Sequence, residues 1–232
     1  MWNEKIQDMI LYEDKEILVC QKPPGLAVQS AGVGKADMES CLKNYLVKSG
    51  KIPYLGIIHR LDQPVEGVLV FAKTPEAARD LSRQMTAGTI GKHYLAVTEG
   101  KPPAPEGILE DWLKKDGRTN TSAVVSPNTN GAKRAKLFYK VLKSIRDVSS
   151  DSQRYLLAVT LDTGRHHQIR VQMAHAGMPL VGDKKYNLQG KNTLPLALCA
   201  ETLEFLHPKT RKKMQFQVKP SGTAFHGFQD IQ

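Results

Sequence analysis

Cysteine is scarce in this chain: three among 232 residues, at positions 20, 41 and 199. The number is odd and no two sit at CxxC spacing, which argues against a disulfide framework or a structural zinc site and for a reducing cytosol. Long apolar runs are also missing. None approaches the ~20 residues of a membrane-crossing helix. The opening Met1-Trp2-Asn3-Glu4-Lys5 has no basic stretch leading into an apolar one, so no signal peptide is expected and the location is read as cytoplasmic, with no membrane partner. No GxGxxG, Walker A loop or HExxH occurs, so neither a nucleotide cofactor nor a metal is expected. There is no fixed-period repeat and no low-complexity tract.

Acidic residues fall short of basic ones. Lys plus Arg is 33 against 23 for Asp plus Glu, a net charge of +10. Such an excess favours polyanions, because each neutralised phosphate releases condensed counterions. A basic protein without a nucleic-acid partner fits the charge equally well. Hydrophobic residues at 41% and charged residues at 24% are ordinary for a globular protein. The length suits one large domain or two small ones, and a sizeable core.

Patterning predicts strands at 9–12 and 17–20, then a break at Lys22-Pro23-Pro24-Gly25. Helical spacing runs from Met38 to Val47, with Asp37 as N-cap and Gly50 as stop. The apolar run 67–72 reads as a buried strand. Thr74-Pro75 opens a helix reaching Ala87 and Gly88. Further strands are expected at 92–98, 107–113, 121–126, 133–145, 154–162, 196–205 and 213–219, with loops at 101–107 and 126–131. A last helix is expected near 165–176, stopped by Gly177 and Pro179. Many strands and few helices indicate α+β, with a large mixed or antiparallel sheet.

Three clusters carry chemistry. Ile58-His59-Arg60-Leu61-Asp62 precedes the buried strand. A carboxylate beside arginine there is either a tuned nucleophile or a loop salt bridge. In Thr163-Gly164-Arg165-His166-His167-Gln168-Ile169-Arg170, Ile169 and Met173 share a helical face with Arg170 at its edge. The histidines read as surface residues beside basic groups. Tyr94, in Lys92-His93-Tyr94-Leu95-Ala96, either stacks on a base or fills the core.

Taken together, the order HRLD, an apolar strand ending Ala-Lys-Thr, KxYLA, TGRxHQIR and GDxxY (Gly182 to Tyr186) resembles the RluA family of RNA pseudouridine synthases. The opening Leu11-Tyr12-Glu13-Asp14 and Leu18 to Leu26 also look like the start of that family's catalytic domain. The likeness runs from about residue 9 to about 218. It implies one pseudouridine synthase catalytic domain over 1–232, with a mainly antiparallel sheet flanked by helices and loops. It implies an isomerase that turns uridine into pseudouridine in structured RNA, tRNA or ribosomal RNA, without a cofactor and as a monomer.

The resemblance assigns roles. Asp62 is the nucleophile, and Arg60 helps open the RNA and takes the place of the departing base. Tyr94 stacks on the flipped uracil and takes part in proton transfer, and Arg170 pairs with Asp62. His59, Arg165 and Gln168 are substrate-binding, and Leu198 is an apolar wall. The step at which Asp62 acts stays open. The chain departs from the family's usual pattern after HRLD, where Gln63-Pro64-Val65-Glu66-Gly67 replaces Arg-Asp-Thr-Ser-Gly. It also departs at His166 and Gln172, where threonine and histidine are usual. The altered loop leaves an RNA-binding or RNA-chaperone protein with lost activity as the alternative. With no separate S4-like domain expected, Lys133 to Lys136 with Lys140 and Lys143, and Lys209 to Lys213, are read as RNA-facing or as solvated strand and turn.

Overall fold

A computed structural model describes residues 5–30, 32, 35–47, 53–147, 152–190 and 193–228. The chain forms two compact units, residues 1–92 with 200–219, and residues 93–199 with 220–232. The class is α+β, as expected. Among the described residues no helix is long and apolar enough to cross a membrane.

In the first unit β1 (Ile10–Glu13) pairs antiparallel with β2 (Ile17–Lys22). Asp14 closes the turn between them by accepting from the N–H groups of Glu16 and Ile17 at 2.8 Å each. β2 then pairs antiparallel with β4 (Glu66–Ala72), in register from Ile17↔Ala72 to Lys22↔Gly67. All seven residues of β4 are buried, as its unbroken apolar pattern implies. The short β3 (Gly56–Ile57) joins one end of β4. β10 (Leu198–Leu206) lies beside β4 and carries β11 (Lys213–Gln217) on its other edge.

Two helices of this unit start where the caps predict. Asp37 accepts from Ser40 N at 2.8 Å while Ser40 Oγ accepts from Asp37 N, a closed capping box at the head of α1 (Met38–Leu46). Thr74 Oγ1 accepts from Ala77 N, with Pro75 in the first helical position of α2 (Pro75–Thr86). The expected stop at Gly50 lies outside the described residues.

Gly67 has φ +132°, and a Cβ placed there would meet the Ala200 carbonyl oxygen of β10 at 2.3 Å. Both the backbone conformation and the close approach require glycine. Gly67→Ala is therefore expected to cost at least about 2 kcal/mol of unfolding free energy in urea titration. Gly88, at φ +70° with nothing near its Cβ, isolates the conformational part, and Gly88→Ala should cost about 1 kcal/mol. Equal losses at the two positions would contradict the clash at Gly67.

The second unit is built on a run of antiparallel strands. β5 (Gly91–Glu99) enters it and pairs with β9 (Ser152–Leu161), which pairs with β8 (Lys133–Asp147). β8 pairs with β6 (Glu106–Asp116), and β6 with β7 (Thr121–Val124). β6 is longer than its sequence pattern predicts, because partners at both ends extend it: Lys140 opposite Glu106 and Thr121 opposite Asp116.

α3 (Gln168–His175) begins three residues later than expected. His167, at φ 54°, is left-handed and ends the preceding turn, so Arg165 and His166 stay outside the helix. Two further expectations are corrected here. Residues 168–173 are buried without a break, so Arg170 lies inside and not at an edge. His167 is buried as well and His166 half-buried, so of these three histidines His175 alone is exposed. Buried polar side chains on this helix make its pattern look amphipathic in sequence, although neighbours cover residues 168–173 on all sides.

Candidate active site

Asp62 sits in the loop joining β3 to β4. Leu61 and Val65, both buried, anchor the loop on either side, and Asp62 is half-buried between them. Val65 N donates to the Asp62 carbonyl at 3.0 Å, closing a tight turn through Gln63 and Pro64. Gln63 ties that turn to the Pro-Pro-Gly loop. Its carbonyl accepts from Gly25 N at 2.9 Å, and its side-chain Nε2 donates to the Gly25 carbonyl at 3.0 Å. The unusual glutamine after the aspartate thus braces the loop directly.

The strongest brace is Lys22, a residue to which the sequence pattern assigned no role. It is fully buried, and its Nζ donates to the carbonyls of Leu26 (2.6 Å), Pro23 (2.9 Å) and Gln63 (2.9 Å). All three ammonium protons are therefore accepted by loop carbonyls. Burial pulls its pKa down to about 7, and the charges of Asp62 and Glu66 oppose that fall. A lysine at the end of an apolar strand, directly before two prolines, was the available signal.

His59 accepts at Nε2 from Val70 N at 3.3 Å, which ties the loop to β4. Burial, helped by the positive charge of Lys92, lowers its pKa to about 4. It is thus neutral at pH 7, as its acceptor role requires. Its unfolded value of 6.5 lies above the folded one, so the unfolded chain binds a proton first. The associated stability is present above about pH 6.5 and is lost as pH falls towards 4. His59→Gln should flatten the pH dependence of the urea midpoint in that window, whereas an unchanged slope would mean that His59 titrates normally. Arg60 is exposed, with Nη2 donating to Gln29 Oε1 at 2.6 Å.

In the second unit Tyr94 is half-buried on β5, opposite Val159. Leu198 is buried at the start of β10. Arg170 meets Asp183 through Nε and Nη2, both at 2.8 Å, and its guanidinium lies 5.2 Å from the Tyr186 ring centroid. Asp183 also accepts from Lys185 N and Tyr186 N, so one carboxylate orients the arginine and shapes the turn after it. The GDxxY motif is the sequence trace of this arrangement.

Gln168 is buried. Its Oε1 accepts from Thr163 Oγ1 and Arg165 N, and its Nε2 donates to the Lys136 carbonyl. It braces the turn that carries Arg165, which is exposed and donates from Nε to the Arg134 carbonyl. The two departures in this motif also find partners. His166 hydrogen-bonds Ser122 Oγ and Asn120 Oδ1 and stacks on His167 at 3.8 Å. Gln172 donates to Asp111 Oδ2 at 2.8 Å. Of the basic stretches, Lys209, Arg211 and Lys213 each lie against a carboxylate, those of Glu16, Asp80 and Glu204. Arg134 is bidentate on Glu110, with Lys133 beside it exposed.

Residues 16–175 match the family model for RNA pseudouridylate synthase. The chain is 35% identical to ribosomal large subunit pseudouridine synthase D of Nitrosomonas europaea, over 88% of this chain and 60% of that protein. It is 30% identical to ribosomal large subunit pseudouridine synthase C of Buchnera aphidicola subsp. Schizaphis graminum, over 98% of this chain and 71% of that one. The chain thus spans 60% and 71% of these relatives' length. Its fold is similar to that of human RNA Pseudouridylate Synthase Domain Containing 4, with TM-score 0.75 and 23% identity over 95% of this chain and 92% of that one.

Proposed function

Because the chain belongs to the RNA pseudouridylate synthase family, we propose that it isomerises uridine to pseudouridine in structured RNA, with ribosomal RNA as the first pool to test. The observation that carries this reading is the family match over 16–175, which contains the braced Asp62 loop, Tyr94 and Arg170. The names of the two bacterial relatives favour ribosomal RNA over tRNA.

Asp62 supplies the nucleophilic carboxylate. Its loop is held on both flanks and through the carbonyl that follows it, so the attacking group is positioned before the substrate arrives. Tyr94 offers an aromatic face to a base taken out of its stack, which costs a few kcal/mol of stacking and pairing. Arg60, exposed in the same loop as Asp62, fills the gap that the base leaves. Arg170, oriented by Asp183, supplies a fixed positive charge, and Arg165 contacts the RNA. The N1–C1′ bond breaks, the base turns, and a C5–C1′ bond forms. C5 then loses its proton and N1 gains one, so the product is an isomer and no cofactor is consumed. The chain works as a monomer in the cytoplasm.

Tritium release from RNA carrying 5-³H-uridine tests this reading, because the C5 hydrogen leaves only if C5 becomes the glycosidic carbon. Release from ribosomal RNA and not from tRNA is expected. Release from neither pool, with RNA still bound, would replace this reading with a non-catalytic RNA-binding protein.

A further inference from the structure

The second unit carries a concavity of about 390 Å³ lined by Leu113, Lys114, Lys115, Ser122, Gly131, Lys133, Gly164, Arg165 and His166. We propose that it binds the phosphodiester backbone of the RNA substrate through Lys115 and Lys133. This rests on the reading that RNA is the substrate, and adds a contact made by the second unit.

The strand register builds the site. Leu113 pairs with Lys133 across β6 and β8, and Lys115 pairs with Ser122 across β6 and β7. Leu113 and Lys115 are two apart on one strand, so these four side chains share a face of the sheet. Ser122 fixes one wall: its Oγ hydrogen-bonds His166, and its N–H donates to Tyr186 Oη at 2.7 Å. Gly131 leaves the rim open, since nothing lies within 4 Å of where its Cβ would stand.

Charge identifies the occupant. The lining holds three lysines and an arginine and no carboxylate. This contrasts with Arg134, Lys209, Arg211 and Lys213, each of which lies against an acid. Exposed like charges gathered on a concave surface repel one another until an anion arrives. The lining has no aromatic ring other than the His166 imidazole, which is stacked on His167, so nothing here is built to receive a base. Long, exposed lysines suit phosphates, which position a nucleic acid without reading its sequence.

The test compares wild type with the double variant Lys115→Gln, Lys133→Gln in filter binding of ³²P-labelled ribosomal RNA. Over about 50 to 200 mM salt, the slope of log affinity against log salt should become shallower by about 2 in the variant. Affinity near physiological salt should fall at least about tenfold. KM should rise while kcat at saturating RNA stays unchanged. Both lysines are exposed, so the fold should survive, and Lys115→Gln alone should change the slope by about one if the double variant does not fold. Equal slopes and affinities would overturn the proposal. If wild type bound ribosomal RNA without releasing tritium, the proposed isomerase activity would fail, while the slopes would still report on this surface.

Discussion

Asp62→Asn is expected to eliminate tritium release while RNA binding is retained. The amide keeps the shape of the carboxylate but has no anionic oxygen to attack with, so the rate should fall by on the order of 10⁴-fold. Affinity should hold or rise slightly, because a negative charge near the polyanion has been removed. A second readout ties the effect to local geometry. The negative charge of Asp62 is one of the influences that keep the pKa of buried Lys22 from falling below about 7. In Asp62→Asn that pKa should drop further, which can be followed through the ¹⁵N shift of the Lys22 ammonium as pH is varied. Near-normal tritium release would remove Asp62 from its role. Lost activity with an unmoved Lys22 titration would show that the two charges do not interact.

The largest loss of stability is expected from Asp183→Ala. Arg170 and Asp183 are both buried and joined by two 2.8 Å hydrogen bonds. Removing the carboxylate takes two charge-assisted hydrogen bonds from a buried guanidinium and frees the N–H groups of Lys185 and Tyr186 that it accepted from. Breaking such a pair costs about 3–5 kcal/mol. For a chain of this size that lowers Tm by roughly 10 °C. An ion pair of this kind orients more than it stabilises, because desolvation offsets much of its attraction. The double variant Arg170→Met, Asp183→Leu should therefore regain most of the lost stability and still be inactive. A single variant within about 1 kcal/mol of wild type would show the pair to be solvated. A double variant with normal activity would remove Arg170 from the chemistry.

Much of this protein was determined by its sequence alone, and the reason is local. The Asp37 and Thr74 caps, the buried run of β4 and the antiparallel strand succession follow from neighbours a few residues apart. Such signals keep their meaning without knowledge of what packs against them. The ordered motifs from HRLD to GDxxY likewise identified the family, since they survive as short strings. Tertiary structure decided everything that depends on a partner distant in the chain. Only packing shows that Gly67 must be glycine, since Ala200, more than a hundred residues later, presses on its Cα. Only packing shows that residues 168–173 are covered on every side, because their hydrophilic side chains find partners on β6, β8 and the Asp183 turn. Lys115 and Lys133 needed the β6–β7 and β6–β8 registers to become a single surface. Lys22 needed the Asp62 loop to come within reach of its ammonium. Its burial then converts a residue that sequence alone would leave at the surface into the support of the proposed nucleophile.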